Sequence, residues 1–520
     1  MYTQSDLQSQ TVYAFGGQQK AFTLTQNADG LNSTATLISG LTAQKTYDTL
    51  NRETVYAIGA SLKRQLTYEN VSGNRTTSIP SAVSYQFGGS NLLNVNYTYD
   101  AVGNISTMVQ DGVTYTYTYD ALNQLTAVAT SDNSYTATFS YDNGGNLTSK
   151  TVNGQTYTYS YGDTEWKDLL TAYNGESITY DQIGNPLSYR GKTLTWTGRQ
   201  LDSLTQNGST NTYLYNADGI RTHKTVNGTA TEYFLNGSTI LAEKTGDTVN
   251  WFIYDDSGDV LGLIHNGTAY YYLKNQQGDV LAIVDSSGTV VGQYTYDAWG
   301  KVLSVTGSIA QINPIRYRSY YYDTETGWYY LQSRYYDPEI GRFVSADDTD
   351  YLGASGTVLG YNLFAYCENN PVNYSDETGR FRITTGYIGW IGSLIIGVAS
   401  LIFRIINIGR DIRSIRNLTK SRIATLIITA LPYGSAYVTS EIISFLSSCA
   451  VATALAATSL SFVMACVTGG MGTVIKTAIS FVSTYFLPSI ITSVQMIYYA
   501  YKYRRGCRLT FTWGGVSARF

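Results

Sequence analysis

The sequence predicts a mainly β protein: an extended antiparallel sheet that spirals or wraps, followed by an α-helical, hydrophobic C-terminal domain. Three observations carry that expectation: a heavy tyrosine load, a repeat of about twenty residues, and the loss of its tyrosine-aspartate steps after residue 380, where Ile, Ala and Ser dominate. The 520 residues include 48 Tyr and 49 Gly against only 7 Pro and 2 His. A ring with one polar tip suits a pleated, half-wet surface, so such a load favours strands.

The repeat is marked by tyrosine-aspartate steps: "KTYDTLNRE" at Asp48, "YTYDAVGNI" at Asp100, "YTYDALNQL" at Asp120, "FSYDNGGNL" at Asp142 and "ITYDQIGNP" at Asp181. Weaker copies follow at Asn216, Asp255 and Asp297. Self-similarity at this period means stacked supersecondary units, none able to bury its apolar face alone. Within a unit, "VTYTYTY" at 113–119 alternates tyrosine and threonine with the period of a strand. The following Asp can bond its own backbone and the Gly can take positive φ, so "DxxGN" turns the chain. A second strand, "ISTMVQ", returns to a second turn at Asp111 and Gly112. The repeated Tyr and Asp are thus read as strand and turn residues; tyrosines exposed along a groove would instead bind carbohydrate.

Chain-level features bound the function. Residues 381–520 carry 13 Lys and Arg against 2 Asp and Glu, a net +11, while the remainder is net −15. A basic module meant for an anionic target, held by an acidic carrier, is the reading that split suggests. Cys367, Cys449, Cys466 and Cys507 show neither paired CxxC spacing nor a neighbouring His, so no metal site and no disulfide framework is indicated. The N-terminal "MYTQSDLQSQTVYAF" lacks a basic and an apolar region, so it is no secretory signal and reads as a start in mid-pattern.

These "YDxxGN" units run into "YRSYYYDTETGWYYLQSRYYDPEIGRFVSADD", and together they resemble the YD-repeat or RHS family, with Pro314 to Asp376 resembling its core-associated region. Bacterial polymorphic toxins and the C component of insecticidal toxin complexes belong to that family, and teneurins carry related repeats. The resemblance implies a sheet coiling into a hollow, here partial, shell around a variable C-terminal payload. The expected division is a repeat shell over 1–313, the core-associated region over 314–380 and the payload over 381–520.

The resemblance also implies an aspartic self-cleaving site. Matched motif by motif, its residues are Arg334 of "LQSRYYD", Asp347 of "FVSAD" and Asp376 closing "CENNPVNYSD". Two close carboxylates do not ionise together easily, so one keeps a proton as acid while the other activates water. A guanidinium beside them orients one carboxylate and holds it charged. Family cleavage after "DPxGL" places the cut after "DETGR", between Arg380 and Phe381; here Glu377 replaces the Pro and Arg380 the Leu. The bland alternative makes Asp347 and Asp348 ordinary turn acids.

The tail holds uncharged stretches at 386–403, 423–440, 442–475 and 477–501. Crossing a bilayer as a helix takes about 17–25 apolar residues. Between the first two stretches, Ile405, Ile408, Ile412, Ile415 and Leu418 recur at helical spacing, with Arg404, Arg410, Arg413, Arg416 and Lys420 at other positions. That pattern predicts a basic amphipathic helix on an anionic membrane surface. The tail has no His, which removes HNH nucleases and zinc deaminases, and its only acids, Asp411 and Glu441, leave almost nothing for two-metal hydrolysis; an ADP-ribosylating or cysteine-based enzyme stays open through Glu441 and Cys466, neither with an evident partner. The expectation is therefore a secreted or surface-displayed carrier that releases a membrane-perturbing toxin. Its expected partners are the target-cell membrane and a cognate immunity protein, with no cofactor, no metal and no nucleic acid. The alternative is a cell-surface adhesin that binds carbohydrate and whose tail is an anchor.

Overall fold

A computed structural model describes residues 7–26, 33–50, 52–71, 75–353, 355–380, 382–384, 425–428, 507–512 and 515–519. Two compact units divide the chain, 1–392 and 393–520. Among the described residues of the first, sixteen strands from Leu7–Phe15 to Glu176–Ser177 form one sheet and fourteen from Thr179–Tyr180 to Val302–Thr306 form another. Within each sheet, neighbours in space are neighbours in sequence, and the paired strands run antiparallel. Both sheets are meanders built from local hairpins, as the repeat requires.

The turn chemistry explains the motif. Asp100 Oδ1 accepts from the backbone N–H of Val102 (3.0 Å) and of Asn104 (2.8 Å), while Gly103 adopts φ +93°. Asn216 turns the chain with the same pattern of bonds. The tyrosine before each Asp has its own task. At Asp120, Asp142 and Asp255 it sits where the ladder slips by one residue, and its hydroxyl donates to a carbonyl in the preceding unit: Tyr119 to Ile105 (2.8 Å), Tyr141 to Leu125 (2.6 Å), Tyr254 to Ile240 (2.9 Å). Phenylalanine could fill the space but could not make that bond. The turns at Asn275 and Asp285 follow the same rules and escaped the sequence pattern, because no Tyr precedes either of them.

Along the strands, alternate residues face inward. In Thr136–Tyr141, Ala137 and Phe139 are buried while Thr136, Thr138 and Ser140 are exposed. Tyr97, Tyr117, Tyr159, Tyr189, Tyr213 and Tyr233 are all buried in the same core. These six tyrosines are therefore packing surface.

What it packs against is the segment after the second sheet, which acts as a plug. A short helix, Ser308–Ile312, leads into a four-stranded sheet made of Tyr321–Asp323, Trp328–Leu331, Arg334–Asp337 and Arg342–Phe343. Its polar groups reach one repeat after another. The turn residues Asn104, Gln124 and Asn146 bond Asn370 (3.1 Å), Asn369 (2.9 Å) and Asn362 (2.8 Å) in turn. Farther on, Arg221, fully buried, is held by Asp323 at 2.6 Å within a cage that includes Tyr233 and Tyr330. A buried guanidinium survives only with such partners.

In the second unit the described residues are strands. Thr425–Ile428 pairs with Cys507–Thr512, which pairs with Gly515–Arg519, all antiparallel. Most of the expected helical C-terminal domain lies outside the described residues; at 507–512, "CRLTFT" alternates apolar and polar residues with the period of the strand found there. The expected amphipathic helix with Arg404, Arg410, Arg413, Arg416 and Lys420 lies outside the described residues. Among the described residues no helix is long and apolar enough to cross a membrane.

Candidate active site

Three elements of the first unit bring Arg334, Asp347 and Asp376 together. Arg334 opens a plug strand just after a tight turn in which Gln332 takes φ +58°. Asp347 follows the last plug strand, its N–H bonded to the Leu363 carbonyl at 3.0 Å. Asp376 leaves the strand Tyr374–Ser375, which pairs with Ile383–Thr384 and so closes a hairpin around residues 376–382. The expected cut position therefore lies in the same short loop as one of the two acids. Phe381 itself lies outside the described residues.

The guanidinium organises the site. Arg334 Nη2 lies 3.0 Å from Asp347 Oδ2 and 3.6 Å from Asp376 Oδ2. Its Nη1 donates to the Leu363 carbonyl (2.8 Å), its Nε to the Gly379 carbonyl, and its plane stacks 3.5 Å from the Phe343 ring centre. Arg334, Asp347 and Asp376 are only 6%, 7% and 2% exposed. Two carboxyls this close in so little water do not ionise together easily, so one is driven to keep its proton. Burial pushes Asp347 up to about 6, against the pull of Arg334 and the Asp348 N–H and with the push of Asp376. This is the condition that acid–base pairs need. Burial also pulls Arg334 down from the usual guanidinium range, which leaves it charged all the same.

The loop backbone is gripped on both sides. Ser333 Oγ donates to the carbonyls of Thr378 (2.7 Å) and Gly379 (3.0 Å), and Asp376 Oδ1 accepts from the Arg380 N–H at 3.0 Å. The peptide group joining Gly379 to Arg380 is thus held at its oxygen by Arg334 and Ser333 and at its nitrogen by Asp376. Gly379 is obligatory: its φ is +69°, and a Cβ there would come within 2.6 Å of the Leu331 carbonyl oxygen. Beside the loop lies a cavity of about 50 Å³ whose walls include Arg334, Asp347, Cys367 and Asp376. It is polar and large enough for water. Burial pushes the Cys367 thiol well above its ordinary range, so it is no nucleophile.

The structure thus gathers Arg334, Asp347, Asp376 and Arg380, which the sequence singled out. It adds Ser333, Gly379 and the run Cys367, Glu368 and Asn369, whose φ values of +51°, +50° and +62° are strained for residues with side chains. No glycine announces that bend, so the sequence carries no signal for it. Among the described residues no three His, Cys, Asp or Glu side chains meet to hold a metal.

Comparison with known proteins agrees with this architecture. The family model described as Teneurin YD-shell matches residues 49–372. The tRNA nuclease WapA of Bacillus subtilis (strain 168) is 38% identical over 221 residues, covering 41% of this chain and 9% of that protein. Toxin protein Tse5 of Pseudomonas aeruginosa is 40% identical over 95 residues, covering 18% of this chain and 7% of that protein. The chain thus spans less than a tenth of either relative. The crystal structure of TcdB2-TccC3-Cdc42 superposes with a TM-score of 0.52 at 20% identity over 72% of this chain and 23% of that one, a likeness of fold.

Proposed function

The chain belongs to the teneurin YD-shell family, and from that premise we propose that it is the carrier of a polymorphic toxin, which cuts its own backbone between Arg380 and Phe381 to free a C-terminal cargo. One observation carries the proposal: a single guanidinium nitrogen lies between Asp347 and Asp376, on the hairpin that holds the expected cut. Asp347, the acid with the raised pKa, keeps a proton and donates it toward the Arg380 carbonyl. Asp376, ionised, takes a proton from a water in the neighbouring cavity. The water oxygen bonds to the carbonyl carbon, the bond to the Phe381 nitrogen breaks, and the proton passes to the departing amine. Arg334 keeps Asp376 charged and, with Ser333, fixes the preceding carbonyl so that the next peptide is presented in one register.

Denaturing electrophoresis of the full chain tests this reading. The unmodified protein yields two fragments, the smaller beginning with Phe381 on N-terminal sequencing. Asp347→Asn or Asp376→Asn leaves one band, and an uncut unmodified chain overturns the proposal. The cleavage rate declines as pH rises through about 6, where Asp347 loses the proton it must donate.

Two readings of the cargo compete. The uncharged runs and the cationic pattern at Arg404, Arg410, Arg413, Arg416 and Lys420 support a membrane-perturbing toxin opposed by an immunity protein. Relatives that act on nucleic acid, among them a tRNA nuclease, favour the second reading and weigh against the expectation that no nucleic acid is involved. Dye release from anionic liposomes by the cleaved protein, run beside degradation of a tRNA mixture, separates the two. Secretion or surface display follows from either reading, since both cargoes must reach another cell.

A further inference from the structure

Two arginines flank Phe381, and the first unit holds each of them in the same way, with an aromatic ring and an acceptor. Arg380 Nη1 donates to the Tyr351 hydroxyl at 3.0 Å, its guanidinium 5.6 Å from the centre of the Tyr351 ring. Arg382 Nε lies 3.0 Å from Glu368 Oε1, its guanidinium 4.1 Å from the centre of the Tyr374 ring. Glu368 is itself fixed, since its Oε2 accepts from Thr357 Oγ1 at 2.7 Å and its backbone belongs to the left-handed run at 367–369. We propose that Tyr351 on one side of the cut, and Glu368 with Tyr374 on the other, form two arginine subsites that select and position the self-cleaved segment.

The inference rests on the self-cleavage reading and adds to it the side-chain chemistry that the segment must offer. A lone exposed ion pair contributes little and would be unremarkable. Here Glu368, itself in a left-handed backbone turn, meets Arg382, and the two holds bracket one residue of a loop already gripped by Ser333 and Arg334. Arginine suits both places because its plane stacks on a ring while its edge donates, which lysine does not do equally well. Tyr351 belongs to the turn that Asp348 caps, so the Arg380 subsite is tied directly to the chain carrying Asp347. The subsites also account for Arg380 standing where the resembling motif has leucine: the pocket it meets has a polar tip and acidic neighbours.

The test uses full chains. Tyr351→Ala and Glu368→Ala each slow the appearance of the two fragments by about tenfold or more, as expected when a reacting group is misplaced. The exchanged pair Glu368→Arg with Arg382→Glu recovers most of the lost rate, as does Tyr351→Leu with Arg380→Leu; damage to the fold alone would not be repaired by a second change. A separate readout needs no self-cleavage. In the Asp347→Asn chain, trypsin cuts slowly after Arg380 and Arg382, and Tyr351→Ala or Glu368→Ala exposes the corresponding bond. Unchanged rates in both assays, or exchanged pairs no better than the single changes, overturn the subsites. An unmodified chain that never cuts itself sinks the self-cleavage reading, and trypsin applied to that chain still decides whether the arginines are held.

Discussion

The turns at Asp100 and Asp297 have the same design and opposite electrostatics. In both, Oδ1 accepts backbone N–H bonds from the residues two and four places ahead. At Asp100, burial works against the charge, but the Asn104 amide and the backbone donors win and hold the carboxyl below its usual value. At Asp297, burial wins over Lys150, Lys301 and the same kind of backbone donors, and the carboxyl is pushed up to about 6. The plug makes the difference. Tyr317, Tyr336 and Tyr329 donate to the carbonyls of Ala298, Trp299 and Gly300 and cover that turn. Between these two turns cover, rather than motif, makes the difference, and Asp347 follows Asp297.

Four substitutions probe that contrast, the largest effect first. Arg221→Leu strips the covered side of its best-placed cation and leaves Asp323, which Arg221 and Lys224 together hold ionised against burial, with Lys224 alone. A loss of about 3–5 kcal/mol is expected from a broken buried pair, seen as a lower urea midpoint with an unchanged slope. Asp297→Asn keeps the turn, since Asn216 and Asn275 already perform the same task. A carboxyl whose folded pKa lies above its unfolded value is stabilising at acid pH, and that contribution is lost as pH rises through about 6. The substitution therefore gains about 1–2 kcal/mol at pH 8 and less toward pH 4, whereas Asp100→Asn shows no such gain, because a lowered pKa contributes above the unfolded value. Equal behaviour of the two variants across pH would break the comparison. Tyr119→Phe removes the donor to the Ile105 carbonyl while keeping the ring, at a cost of about 1 kcal/mol in thermal unfolding.

Local chemistry explains which parts of this molecule could be read from the chain. The turns at Asp48, Asp100, Asp120, Asp142, Asp181, Asn216, Asp255 and Asp297 were legible because an Asx acceptor and an alternating strand act over a few residues. The role of the tyrosine hydroxyl was not, since the Tyr119 acceptor, Ile105, lies in the preceding unit and the tyrosine stands at a slip in the ladder that the sequence does not mark. Arg334, Asp347 and Asp376 could be assembled only through a resemblance; nothing in their spacing says that one guanidinium meets both acids. Glu368 and Ser333 were missed because each acts across the fold, on Arg382 and on the carbonyls of Thr378 and Gly379. In the tail only short strands are described, and the alternation in "CRLTFT" is the local signal that marks one of them.

The asparagines of "CENNPVN" and Asn362 meet the turns of successive repeats like pegs meeting holes: Asn370 at Asn104, Asn369 at Gln124, Asn362 at Asn146. A meander of identical hairpins has no internal reason to stop at any particular count, and copying errors between like units add or drop them readily. The pegs supply a gauge. A unit gained or lost between residues 100 and 146 would throw the later pegs out of step, and one gained or lost from there to Asp297 would displace the plug's hold on Arg221 and on that turn, so drift in repeat number should concentrate before residue 100.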